Sequence, residues 1–151
     1  MKKQLAAFTL FLAVLAAMTV AAGAGKTTAT IVGDAKYESV DFVEFNKTVA
    51  EAAGKSEAWT MDPVLVALKL TGPSEGMTQN IERVYGSAES PDAAEVMITN
   101  EKLPDDSVMG QRFVIVLGKN DDGSWTVKSA GKAVKCQEGR GHQDYSKEPC
   151  M

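Results

Sequence analysis

The residue types with the widest chemistry lie together at the end of the chain, in the segment CQEGRGHQDYSKEPC. This segment holds both cysteines of the protein, Cys136 and Cys150, and its only histidine, His142. Asp144 and Ser146 also lie within it. Thiolate, imidazole and carboxylate groups are metal ligands, and Ser, His and Asp together are the residue types of a hydrolytic triad. A disulfide between the two cysteines is the third possibility.

The spacing of these residues argues against the first two possibilities. The pattern Cys-x5-His-x-Asp-x5-Cys contains neither the Cys-x-x-Cys pair nor the His-x-x-x-His pair that is typical of zinc sites. A triad needs side chains that converge from separate elements, whereas His142, Asp144 and Ser146 lie within five residues of one another. We therefore expect no metal, no cofactor and no catalytic residue in this segment.

The N-terminal residues predict export. Two lysines lie near the start, residues 5–20 are apolar apart from two threonines, and the small residues Ala-Gly-Ala follow at 22–24. This order is that of a secretory signal peptide comprising residues 1–24. The apolar run of 16 residues is shorter than the roughly 20 that span a bilayer. We expect a periplasmic or secreted protein, with residues 25–151 as one domain and no membrane span after cleavage.

Export in turn predicts a disulfide between Cys136 and Cys150. Two cysteines in an oxidising compartment are usually bridged, and a bridged cysteine is neither a nucleophile nor a metal ligand. The bridge closes the tail 136–150 into a ring worth roughly 3 kcal/mol on the chain-entropy model.

The same tail also contains a candidate ligand-binding loop. Gly139 and Gly141 flank Arg140 and allow positive φ on both sides of it, and consecutive N–H groups in such a turn can bind an anion. Arg140, His142 and Asp144 are therefore the candidate ligand-binding residues. The alternative is that the glycines only shape the loop.

The charge of the chain limits its partners. The formal charge is −4, and it becomes −6 when Lys2 and Lys3 are removed with the predicted signal peptide. Because an acidic surface repels phosphates, we expect the protein to bind neither nucleic acid nor anionic lipid surfaces. The charge favours a cationic partner.

The first half of the predicted domain has a helical pattern. Four of the five residues 28–32 are β-branched, which favours a short edge strand there. In DFVEFNKTVAEAAG (41–54), Phe42, Phe45 and Val49 recur at three- and four-residue spacing, which places them on one helix face.

The pattern then changes to strands. We interpret the apolar run at 64–70 as a strand, the alternative being a short helix that begins at the preceding Asp62 and Pro63. Further strands are predicted at 93–102, 112–120 and 124–136, with a weaker one at 77–87. The last two flank an Asp-Asp-Gly hairpin turn. The expected core residues are Phe42, Phe45, Trp59, Met61, Met97, Phe113 and Trp125.

These elements predict an α+β domain. One or two helices are followed by an antiparallel meander of four or five strands, with a helix across one face of a curved sheet. Cystatin-like and NTF2-like folds share this order, and such folds host many functions.

The C-terminal third of the chain resembles a recurring type of small exported bacterial protein. The shared features are the DDSV turn at 105–108, a tryptophan strand containing Ala-Gly, and a tail bounded by cysteines that contains GRGH. The resemblance implies export, a bacterial source and a fixed tail. It implies no activity or substrate.

Three functions are consistent with the sequence. The first is a non-enzymatic binding or accessory protein, with a protein or small ligand on the sheet or at the GRGH loop. The second is an inhibitor of a cationic enzyme such as a lysozyme, which the negative charge and the disulfide-bounded loop favour. The third is a small hydrolase, which requires a concave pocket with convergent polar side chains between helix and sheet.

Overall fold

A computed structural model describes residues 36–87, 89 and 91–151. The predicted signal peptide (1–24) and the predicted strand at 28–32 lie outside these residues. The described residues contain two α-helices and a five-stranded antiparallel sheet, which confirms the α+β class. Among them, no helix has the length and apolar character needed to cross a membrane.

The elements follow one another simply along the chain. The N-terminal part contains β1 (Glu38–Ser39), α1 (Val43–Gly54), a short 3₁₀ helix (Ala58–Met61) and α2 (Pro63–Thr71). The long strands are β2 (Thr78–Tyr85), β3 (Ala93–Glu101), β4 (Val108–Lys119) and β5 (Trp125–Cys136). Strands β2 to β5 form the predicted meander, and the sheet order is β1-β5-β4-β3-β2. The short β1, which was not predicted, pairs with the outer edge of β5.

Residues 64–70, which we interpreted as a strand, lie within α2, so the helical alternative is correct. The Asp62 carboxylate accepts a hydrogen bond from the Val64 N–H at 2.8 Å, and Pro63 occupies the first turn. Gly72 ends the helix with φ +75°. These terminal signals, together with burial of one helix face against the sheet, outweigh the strand propensity of the two valines.

The sheet has two different faces. The helix face carries Val96, Ile98, Ile115 and Leu117, all fully buried, and α1 and α2 pack against it. The opposite face, which we call the tail face, carries the intervening residues of each strand. One end of it contacts the C-terminal tail through Tyr145.

The predicted core is largely correct. Trp125 is buried with 2% exposure. Four other expected residues are half-buried against the core: Phe42, Phe45, Trp59 and Phe113. Met97 is half-buried, but Met61 is 45% exposed, so its prediction as a core residue was wrong.

The predicted hairpin between β4 and β5 is also present. The Asn120 N–H donates to the Ser124 carbonyl at 2.8 Å, and Gly123 has φ +87°. The Asp122 carboxylate accepts from the Ser124 N–H and hydroxyl, and these bonds hold its pKa below the ordinary value. The turn therefore fixes the register of the two longest strands.

Candidate functional site

The predicted disulfide joins the end of β5 to the C-terminus. Cys136 is fully buried and is bonded to Cys150, with 5.5 Å between the two Cα atoms. Gly141 has φ +141°, and a Cβ there would lie 2.9 Å from the Cys136 sulfur. The chain can therefore turn beside the disulfide only because this residue is glycine.

The tail is docked by backbone and side-chain contacts as well. Val134 and Ser146 exchange two backbone hydrogen bonds of 2.8 and 2.9 Å, so the tail pairs with the edge of β5. Tyr145 lies on the tail face over Gly110, and the Arg112 guanidinium lies 3.9 Å from its ring centroid. This matches the expectation that the tail is structurally fixed.

His142 is held by the tail itself. Its Nδ1 lies 2.8 Å from the Asp144 carbonyl oxygen, and its Nε2 lies 2.8 Å from the Glu148 carbonyl oxygen. Carbonyl oxygens only accept hydrogen bonds, so both contacts are hydrogen bonds only when the ring is doubly protonated. The Glu148 and Asp144 carbonyls accordingly raise the pKa of His142. Neither ring nitrogen is left for a ligand in this state.

Arg140 and Asp144 present exposed side chains. Neither side chain has a hydrogen bond or ion pair within the described part of the chain. Gly139 and Gly141 both have positive φ, as predicted, but the Arg140 N–H donates to the Gln137 carbonyl at 3.0 Å rather than facing outward. A ligand-binding role for Arg140, His142 and Asp144 stays a prediction, and none of the three lines a cavity described below.

The three metal-ligand types of the tail do come together. Ligand atoms of Cys136, His142 and Cys150 lie within 4.8 Å of one another. The disulfide holds both sulfurs, however, and metals bind the thiolate form. In the oxidised protein these residues therefore form a covalent link beside a hydrogen-bonded imidazole.

A second group of polar residues, which the sequence analysis missed, surrounds a cleft of about 440 Å³. We call it the polar cleft. It lies on the helix face beyond the end of α2, and the turn between β3 and β4 forms its other wall. Its floor and walls include Phe113 and Val134, and its polar lining residues are Thr71, Glu75, Asn100, Asp105, Gln111 and Lys132.

Two polar groups of the cleft lack partners. Asn100 is 5% exposed, and its Oδ1 accepts from the Gln79 side chain at 3.0 Å. The Asn100 amide nitrogen makes no hydrogen bond with any described residue. Lys132 is half-buried, and although Glu38 lies opposite it in β1, no ion pair joins Lys132 to any part of the chain that is described. The cleft thus offers a cation and an amide donor.

The rim of the cleft is acidic. The Asp105 carboxylate accepts from the Val108 N–H at 2.6 Å and the Ser107 N–H at 2.8 Å. These two bonds hold the pKa of Asp105 below its ordinary value, so the group stays ionised. Glu75 is a second exposed carboxylate on this rim.

The cleft has a sequence signal that is visible only in retrospect. Asn100 is in phase with Val96 and Ile98 in β3, and Gln111 is in phase with Phe113 in β4. A polar residue at a core-facing position near a strand end is a candidate site residue.

Comparison of the chain with protein-family models, curated proteins and solved structures finds no match.

Proposed function

We propose that this chain is an exported, non-enzymatic binding protein that holds a small zwitterionic ligand in the polar cleft. The observation that carries the proposal is the pair formed by Lys132 and Asn100. Lys132 is a half-buried residue without an ion pair to the described residues, and Asn100 is a 5% exposed residue whose amide nitrogen makes no hydrogen bond to them. Both line the same cleft.

The anionic group of the ligand is expected at Lys132. The Asn100 amide nitrogen is unbonded but not buried away from solvent, so a carboxylate in the cleft can accept a hydrogen bond from it. Lys132 would supply the opposite charge, and Gln111 lines the same wall. Phe113 and Val134 provide apolar surface that limits competition from water.

The cationic group of the ligand is expected at the acidic rim. Asp105 is held ionised by its two backbone hydrogen bonds, and Glu75 lies on the same rim. The negative charge of the chain adds to the local attraction for a cation. In this proposal, the cationic partner predicted from composition is the cationic group of a small ligand.

The chemistry of the cleft favours binding over hydrolysis. No histidine or cysteine lines it, and the Thr71 hydroxyl donates to the Leu68 carbonyl at 3.4 Å. A general acid or base needs a pKa near the working pH, whereas the pKa of Asp105 is lowered further from neutrality. The convergent polar groups are therefore better suited to holding a ligand than to transferring a proton.

Export is supported by the disulfide, which persists in oxidising compartments. The intact mass of the protein recovered from its native compartment should match removal of residues 1–24, and alkylating reagents should add nothing. A full-length mass would contradict export, as would two alkylated thiols.

The ligand proposal is tested by NMR titration with three probes: diglycine as a zwitterion, acetate as an anion and putrescine as a cation. Diglycine should shift the side-chain amide signals of Asn100 and Gln111. Lys132→Met should weaken this binding about tenfold or more, because one charge-assisted hydrogen bond is worth about 1.5–3 kcal/mol. Lys135→Met is the matched control, since Lys135 lies in the same strand on the tail face.

Other outcomes would contradict the proposal in different ways. Equal affinity for acetate and diglycine would show that the cleft does not bind the cationic group of the ligand. Binding of putrescine alone would favour the inhibitor alternative with its cationic partner. Unchanged diglycine affinity in Lys132→Met would show that the cleft is not the site.

A further inference from the structure

The two edges of the sheet differ in how far their outward backbone groups are hydrogen-bonded by the rest of the described chain. Along β5, the Asn46 side chain acts like a neighbouring strand: its Nδ2 donates to the Val127 carbonyl at 2.9 Å, and its Oδ1 accepts from the Val127 N–H at 3.0 Å. The rest of this edge is bonded by Val40, β1, Ser146 and His142. The β5 edge is therefore closed from Val127 to Cys136.

The β2 edge is open. All eight residues of β2 pair with β3 without a bulge, and no described element pairs with their other side. Seven of the eight are exposed, including Ile81 at 37% and Val84 at 56%. The strand contains neither proline nor lysine, and its charged residues are Glu82 and Arg83. Proteins usually protect a sheet edge with prolines, charged residues, bulges or a short strand, and this eight-residue edge has only the two charges, so it can accept another strand.

An apolar groove runs beside this edge. It has a volume of about 420 Å³ and is lined by Trp59, Leu65, Leu68 and Pro73 on one side and by Gln79 of β2 on the other. Leu65 is 43% exposed. Gln79 and Ile81 lie on the helix face of β2, since they pair with Asn100 and Ile98. A strand added to β2 would direct alternate side chains toward this groove.

Two cations beside the β2 edge select the kind of strand: Lys69 lines the groove with Gln79, and Arg83 lies four positions further along β2. The Lys69 ammonium lies 4.8 Å from the Trp59 ring centroid, and the Arg83 guanidinium lies 4.6 Å from the Tyr85 ring centroid. Arg83 is on the same face of β2 as Gln79. Neither cation forms an ion pair with a described residue. Ile81 lies midway between Gln79 and Arg83 on this face of β2, so the complement is an apolar side chain opposite Ile81 with acidic residues two positions before and after it.

From these observations we propose that the β2 edge binds an extended segment of another protein by strand addition. The segment has the pattern acidic-x-apolar-x-acidic, with its apolar side chain beside the exposed Ile81 and its carboxylates near Lys69, at the groove, and Arg83. Backbone hydrogen bonds to β2 supply affinity, and the groove and the two cations supply specificity. The groove adjoins the polar cleft, since Pro73 lines both and the Gln79 side chain donates to Asn100. The backbone edge of β2 does not line the cleft, so the proposal does not depend on the proposed ligand.

The test uses a synthetic peptide, acetyl-Thr-Glu-Thr-Leu-Thr-Glu-Thr-amide, and two-dimensional NMR of the protein. Binding should shift the backbone amides of β2 and the Trp59 indole signal, and should slow hydrogen exchange of alternate β2 amides. The same peptide with lysine in place of glutamate should bind about tenfold more weakly.

Two further comparisons separate strand addition from nonspecific contact. Two peptides, N-methylated on the even or on the odd residues, should differ in affinity. Only one of the two patterns blocks the N–H groups that face β2. Arg83→Glu should weaken binding of the glutamate peptide and strengthen binding of the lysine peptide. Glu82→Arg, on the tail face of the same strand, should not weaken binding of the glutamate peptide.

The proposal is overturned if millimolar glutamate peptide leaves the β2 amides unshifted. Equal binding of both N-methylated peptides would also overturn it. A concentration-dependent dimer of the free protein, with its β2 amides protected, would assign the edge to a second copy of the chain instead.

Discussion

Removing the covalent link of the tail should destabilise the protein by about 3 kcal/mol. The suitable variant is Cys150→Ser, because Cys150 is partly exposed whereas Cys136 is fully buried. Serine at position 136 would also bury a hydroxyl group and would confuse the loss of the ring with a polar desolvation cost.

The magnitude follows from the size of the ring. The two bonded cysteines are separated by 14 positions, and a ring of about 15 residues constrains the unfolded chain by roughly 3 kcal/mol. For a domain of somewhat more than a hundred residues, this corresponds to a fall in melting temperature of about 10 °C. The hydrogen bonds of the tail to β5 can still form without the bridge, so the sheet itself should persist.

Thermal unfolding followed by circular dichroism measures this effect. Wild-type protein reduced with dithiothreitol is the control, and it should melt at the same temperature as Cys150→Ser. An unchanged melting temperature in both samples would refute the reasoning that the tail is a stabilising staple. A fall in the variant alone would attribute the effect to the serine and not to the ring.

Two further changes test the contacts that close the β5 edge and the tail. The pKa of His142 is raised in the folded protein, so its stabilising contribution is present below the unfolded pKa and is lost as pH rises through the folded pKa. His142→Gln should therefore remove the part of the stability that is present at mildly acidic pH and lost at mildly alkaline pH, and identical wild-type and variant pH profiles of melting temperature would contradict this. Asn46→Asp should cost about 2 kcal/mol in denaturant unfolding, because a carboxylate oxygen then faces the Val127 carbonyl. Asn46→Ala should cost less, and the reverse order would contradict the bidentate amide contact.

Local signals in the sequence were sufficient for much of the fold. The three- and four-residue spacing in 41–54 predicted α1, and the Asp-Asp-Gly turn predicted the hairpin between β4 and β5. Both are short-range effects, because the residues that decide them are neighbours along the chain. The run at 64–70 shows the limit of this approach. Its composition suits a strand, and the decision depended on the cap at Asp62 and the stop at Gly72.

The disulfide was predictable because the chain has only two cysteines, and both lie in one short tail. The role of the residues between them was not. His142 looked like a possible ligand-binding residue, but its ring nitrogens are bonded to two carbonyl oxygens of the same loop. Those contacts depend on how the closed ring folds over Cys136, which residue type and spacing do not report.

The sequence by itself determined the class of the protein, its closed tail, α1 and the long strands, because these depend on local periodicity, turn chemistry and cysteine number. Only the tertiary structure decided where a ligand or partner strand would bind. The polar cleft combines Glu75, Asn100 and Lys132, which are far apart in the chain and meet through strand register and the end of α2. Likewise, β2 is an open edge only because the sheet order leaves it outermost while Asn46 and the tail cover β5. Long-range pairing sets both features, and no short stretch of residues encodes it.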